Sequence, residues 1–195
     1  IMIVSKKHEF IFVAIPKTGT RTIYSILKGQ YEGQKVKEHH PDVPEKFKDF
    51  FKFTIVRNPY ERAVSLWWST CKRDNRRPYT DIIGSSEILD FFTWLNKPNQ
   101  NRGTGSEILR TQALYLKKTK FDKILYTESL EADFKSIPMF SKVGHFPNMN
   151  STQVVQPNNP LARKNWMHYM TPAVIKQIEK YYAEDFEMLP QYQKL

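Results

Sequence analysis

One stretch near the start limits what this chain can fold into more than any other. Phe10 to Ile15 is a continuous apolar run. It lacks the alternation of a half-exposed strand, so it reads as a strand in the middle of a sheet. Pro16 stops the run, and Lys17-Thr18-Gly19-Thr20-Arg21-Thr22 follows. A helix is expected from Thr22 to Lys28, with Ile23, Ile26 and Leu27 on one face and Gly29 as its stop. A buried strand, a turn containing Gly and a helix start make an anion site, because backbone N–H groups converge there and the helix dipole favours negative charge. Lys17 and Arg21 add full charges, and Thr18, Thr20 and Thr22 add hydroxyl donors. This turn is expected to cradle a phosphate or a related anion.

A second turn repeats the arrangement. Phe51 to Val56 reads as another strand and runs straight into Arg57-Asn58-Pro59-Tyr60-Glu61-Arg62. Asn58 is a good N-cap, Pro59 fits the first helical position and Glu61 completes a capping-box spacing. The helix is expected to run to about Lys72 and to bury Ala63, Leu66 and Trp67, with Ser65 two turns beyond Arg57. An Arg beside the positive end of a helix dipole is unfavourable unless an anion is present. That local conflict favours reading Arg57 as a second anion contact over a plain helix-start residue.

The rest of the chain continues the pattern. Residues 1–9 read as a polar lead-in. Residues 30–49 read as a loop with a short helix from Glu45, containing the adjacent pair His39 and His40. Helices are expected over 88–95 and 107–116, a third strand over Lys123 to Tyr126, and a helix over Leu130 to Ile137. Thr171 and Pro172 open a final amphipathic helix to about Leu189, with Val174, Ile178, Tyr181, Tyr182 and Phe186 on its apolar face. Strand–helix units in series predict an α/β domain with a parallel sheet at its core. In such sheets ligands sit beyond the carboxyl ends of the strands, so both turns should face one crevice.

Bulk properties exclude several alternatives. At 195 residues the chain is long enough for one domain with a sizeable core. The single cysteine, Cys71, excludes an intrachain disulfide framework and a Cys-rich zinc site. No apolar run reaches the roughly 18 residues that would span a bilayer, and the first residues lack the layout of a signal peptide. The expectation is a soluble, cytoplasmic protein. A net charge of +10 should attract anions, but does not choose among nucleotides, polyanionic sugars, nucleic acid and an acidic membrane surface.

The first turn is not a Walker A loop, because Lys17 precedes the only Gly instead of following a second one. Nor can one Gly supply the dinucleotide fingerprint. Pro16-Lys17-Thr18-Gly19-Thr20-Arg21-Thr22 does resemble the 5′-phosphosulfate loop of sulfotransferases that use 3′-phosphoadenosine-5′-phosphosulfate (PAPS). Arg57-Asn58-Pro59, followed by Arg62 and Ser65, resembles the 3′-phosphate motif of the same family. Further similarity lies in Tyr126 to Phe134, Phe146 to Ser151 and Tyr169 to Phe186, so the resemblance spans nearly the whole chain. It is greatest to the carbohydrate-type branch and its small bacterial-like members.

That resemblance implies a P-loop-like, three-layer α/β domain over residues 1–195, with a central parallel sheet flanked by helices. It implies a sulfotransferase moving a sulfuryl group from PAPS to a hydroxyl, that of a carbohydrate in this branch, without a metal and with no nucleic-acid or membrane partner. Lys17, Thr18, Gly19, Thr20, Arg21 and Thr22 would hold the phosphosulfate, and Arg57 and Ser65 the 3′-phosphate. Lys17 would stabilise charge on the leaving oxygen. His40 would be the general base, by its spacing in His40-Pro41-Asp42-Val43-Pro44-Glu45, with His39 as the other registration. Two readings compete with this one. One is a nucleotide or small-molecule kinase with a divergent phosphate loop; the other is a basic nucleic-acid-binding domain.

Overall fold

The computed structural model describes residues 1–37, 42–72, 78–98, 106–147 and 165–195. In chain order the elements are β1 (Met2–Ser5), β2 (Phe10–Val13), α1 (Thr20–Gln30), β3 (Gln34–Lys37), β4 (Phe51–Val56), α2 (Pro59–Trp67), α3 (Pro78–Ile83), α4 (Ile88–Leu95), α5 (Gln112–Lys118), β5 (Lys123–Tyr126), α6 (Leu130–Lys135), α7 (Pro172–Tyr181) and α8 (Ala183–Met188). They fall into two compact units, Ile1–Arg57 with Gln112–Ser151, and Asn58–Thr111 with Thr152–Leu195.

The first unit carries a five-stranded sheet in the order β3-β1-β2-β4-β5. The pairs β2–β4 and β4–β5 are parallel, with Phe12 opposite Phe53 and Ile55 opposite Leu125. The expected parallel core is therefore present, but the sheet is mixed. β1 runs antiparallel to both of its neighbours, so it alone opposes the direction of the other four strands. The polar lead-in expected over residues 1–9 is corrected accordingly. Its first part is buried strand, and Lys6 to Glu9 is a hairpin turn in which Glu9 takes φ 50°. The loop expected over 30–49 likewise contains β3. Its Gln34-Lys35-Val36-Lys37 sequence is polar because β3 lies at the edge of the sheet, where charge discourages pairing with another chain.

Both faces of the central strands β2 and β4 are buried near their carboxyl ends. Ile3, Phe10, Phe12, Phe53, Ile55 and Leu125 share one core with Ile23, Ile26 and Leu27 of α1 and Phe134 of α6. On the alternate positions Ile11, Val13, Thr54 and Val56 are equally inaccessible. This explains why β2 reads as an unbroken apolar run. α1 starts two residues earlier than expected and continues through Gly29 to Gln30. The chain turns after Tyr31, where the N–H groups of Tyr31 and Gly33 both donate to Leu27 O.

The second unit is helical. α2 begins as expected, with Asn58 Oδ1 accepting from Tyr60 N at 2.9 Å and Pro59 in the first turn. It reaches Lys72, but its last stretch, Trp68–Lys72, is a π-helix. There Thr70 Oγ1 donates back to Leu66 O at 2.8 Å. Ala63, Leu66 and Trp67 pack with Phe91, Phe92 and Leu95 of α4 and with Val174 and Ile178 of α7. The final helix is not continuous. It breaks at Tyr182 (φ −104°, ψ 25°), and residues on both sides of the break, Ile178 and Phe186, enter the same core. Arg62 is wholly buried here: its Nη2 donates to Arg110 O at 2.6 Å and its guanidinium lies 5.4 Å from the centre of the Tyr182 ring. Among the described residues, no helix is long and apolar enough to cross a membrane.

Candidate functional site

The turn after β2 has an unusual backbone. Lys17 and Gly19 both take positive φ, 70° and 77°, while Thr18 between them does not. For Gly this conformation is cheap; for Lys it costs about 1 kcal/mol or more. Alternating hand along a short segment turns successive N–H groups toward one point, which is the geometry of an anion-binding nest. Thr18 is completely buried, and its hydroxyl donates to Ile15 O at 2.9 Å, tying the turn to the end of its strand.

Behind the turn, α1 begins with an open end. Gly19 is the N-cap, no side chain caps it, and no acidic residue lies in the first turn. The contrast with α2 and α7 is direct, since those helices are capped by the side chains of Asn58 and Thr171. Thr22 N donates to Gly19 O at 3.2 Å, and no side chain caps the N–H groups ahead of it, so this end is suited to an anion. Lys17 and Thr20 flank this end half-buried, Arg21 is exposed and Thr22 is buried.

The parallel pairing of β2 and β4 puts the second turn at the same end of the sheet. The Arg57 guanidinium donates through Nη1 to Lys17 O at 3.3 Å, joining the two turns. Its backbone is clamped by Gln112 at the start of α5: Arg57 N donates to Gln112 Oε1 and Gln112 Nε2 donates to Arg57 O, both at 2.9 Å. Two threonines anchor the strand ends on either side. Thr54 Oγ1 donates to Val13 O and Thr127 Oγ1 to Val56 O, each at 2.7 Å. Asp133 Oδ2 accepts from Tyr126 N and Ser129 Oγ, both at 2.8 Å, and so fastens α6 to the end of β5.

Of the residues singled out in the sequence, Lys17, Thr18, Gly19, Thr20, Arg21, Thr22 and Arg57 thus lie in the sheet unit, the first six in the turn after β2 and the first turn of α1, with Arg57 reaching Lys17. Ser65 lies on α2 in the helical unit and is 8 % exposed. His39 and His40 lie outside the described residues, as do Asn148 to Ser151. The sequence reading passed over Gln112, Thr54 and Thr127. A Gln opening a Lys-rich helix looks like a solvated position, and strand or loop threonines carry no mark of a partner in another element.

The profile of the sulfotransferase family matches residues 2–193, which takes in both compact units. No curated protein and no solved structure gave a match.

Proposed function

The chain belongs to the sulfotransferase family, whose chemistry is sulfuryl transfer, and from that premise we propose that it uses PAPS as donor and a carbohydrate hydroxyl as acceptor. The observation that carries the donor assignment is the open start of α1 behind a turn with positive φ at Lys17 and Gly19, a cradle suited to a phosphosulfate. The P-loop-like arrangement and the reading of residues 1–195 as one domain belong to the same proposal. The family match running across both units supports them.

PAPS supplies a sulfuryl group on a phosphate that leaves readily. In this reading the N–H groups of the turn and of the first turn of α1 hold the phosphosulfate, with Lys17, Arg21 and the hydroxyls of Thr20 and Thr22. Thr18 contributes its backbone, because its hydroxyl is engaged with Ile15. Arg57 and Ser65 take the 3′-phosphate, Arg57 by charge-assisted hydrogen bonds. Lys17 stabilises the negative charge that grows on the departing phosphate oxygen as its bond to sulfur breaks. His40, or His39 in the other registration, accepts the proton of the acceptor hydroxyl while that oxygen bonds to sulfur from the opposite side. The basic surface implied by a net charge of +10 favours anionic glycans among the acceptors.

The test is transfer of labelled sulfate from PAPS to a panel of glycans. The wild-type protein is expected to label a carbohydrate hydroxyl, and His40→Ala to bind adenosine 3′,5′-bisphosphate normally with no turnover. Full turnover by His40→Ala would remove His40 as the base. Labelling of small alcohols or phenols in place of every glycan would overturn the acceptor class.

A further inference from the structure

We propose that Gln112 is the positioning residue that aims Arg57, and so makes the site selective for a nucleotide carrying a 3′-phosphate. The inference rests on the reading of Arg57 as the 3′-phosphate contact. Arg57 is the last residue of the sheet unit before the chain enters α2. β4 ends at Val56, so the backbone N–H and C=O of Arg57 lie past the end of the β4 ladder. Gln112 replaces that ladder with one side chain. Its amide accepts from Arg57 N and donates to Arg57 O, both at 2.9 Å, as a neighbouring strand would.

Three features make this clamp more than a loop contact. Gln112 is fully buried, so neither bond is exchanged readily for one to water. It comes from an element 55 positions away in the chain, so the arrangement is not a local turn. And the guanidinium whose backbone it holds reaches Lys17 O at 3.3 Å. The direction of the Arg57 side chain therefore sets the spacing between the two anion turns. A planar, forked donor loses much of its value when it is misaimed by even a modest angle, because bidentate contacts depend on geometry as well as charge. Only a side chain with a donor and an acceptor at the end of a two-carbon stem fits this clamp as built. Glu lacks the donor, Asn is one methylene too short, and Met keeps the volume without either bond.

The experiment measures affinity for adenosine 3′,5′-bisphosphate and for adenosine 5′-monophosphate by calorimetry. The proteins are the full-length wild type, Gln112→Met, Arg57→Ala and the double variant. The ratio of the two affinities reports recognition of the 3′-phosphate alone, and a general loosening of the fold would lower both together. Gln112→Met is expected to reduce the ratio by about tenfold, the size of a misplaced charge-assisted contact. The double variant should lose no more than Arg57→Ala, because Gln112 acts through Arg57. An unchanged ratio in Gln112→Met alongside a reduced one in Arg57→Ala overturns the inference and leaves the site reading intact. An unchanged ratio in Arg57→Ala overturns both. Should Gln112→Met fail to fold, Gln112→Glu decides by the same ratio: it retains the acceptor for Arg57 N and sets a carboxylate against Arg57 O, and the ratio must again fall.

Discussion

The guanidinium of Arg57 donates to the backbone carbonyl of Lys17 at 3.3 Å, so a side chain from one strand end braces the strained residue at the other. Lys17 lies in the left-handed region at φ 70°, which β-carbon-bearing residues avoid. Strain of this kind persists only where the surroundings hold it, and it concentrates at sites of function. The bond from Arg57 and the buried bond from Thr18 to Ile15 are two such restraints.

The backbone at Lys17 can be separated from its charge. Lys17→Gly and Lys17→Ala both remove the ammonium group, but only Gly relieves the left-handed conformation. Lys17→Gly is expected to be more stable than Lys17→Ala by about 1 kcal/mol. Both should bind adenosine 3′,5′-bisphosphate more weakly than wild type, by a similar factor. Urea unfolding midpoints and calorimetric affinities check the two halves separately. Equal stability of the two variants would mean that the conformation at position 17 is not strained.

The sheet's rigidity rests on Phe53. It is wholly buried, and its ring lies 5.1 Å from that of Phe12, 5.5 Å from Phe140 and 6.0 Å from Phe10. Phe53→Ala is expected to cost about 3–5 kcal/mol, by lost burial and the cavity left behind. Denaturant unfolding measures this directly. A loss below about 1 kcal/mol would mean that the aromatic cluster collapses around the gap and is not a close-packed core.

How much of this was legible in the sequence differs by element. The apolar run from Phe10 announced a buried strand, because a strand covered on both faces has no polar register, and Phe51 to Val56 was legible despite Lys52 and Thr54. The turns announced themselves through Gly19, Asn58 and Pro59, whose backbone chemistry is local. β3 did not, because an edge strand with Lys35 and Lys37 has the composition of a loop. The reversal of β1 was hidden for a different reason: strand direction is set by a hairpin at Glu9, a non-Gly residue at positive φ that no turn rule picks out. In the site, the charged and hydroxyl residues of the first turn could be named from their order. Gln112 could not, since its role depends on an approach between residues far apart in the chain.

Alkaline pH should weaken the helical unit through Tyr60. Burial, followed by its hydrogen bond to Glu179, pushes the phenol up to about 12 from an ordinary 10. In the unfolded chain the same group ionises first. The native state therefore binds more protons between these values, and stability falls as pH rises through that window; below pH 10 the contribution is fully present. Tyr60→Phe removes the titrating group, so its stability should decline less steeply between pH 10 and 12. Denaturation midpoints across that range test this, and parallel slopes for the two proteins would contradict it.

On the proposed function, the two turns braced against each other through Arg57 and Lys17 serve the two ends of one 3′-phosphorylated adenosine nucleotide. Calorimetric titration with adenosine 3′,5′-bisphosphate and, separately, with ATP–magnesium tests it most directly. A clear preference for the bisphosphate is expected, reduced by at least about tenfold in Arg57→Ala and in Lys17→Ala through loss of a charge-assisted contact. Equal or tighter binding of ATP–magnesium would contradict it.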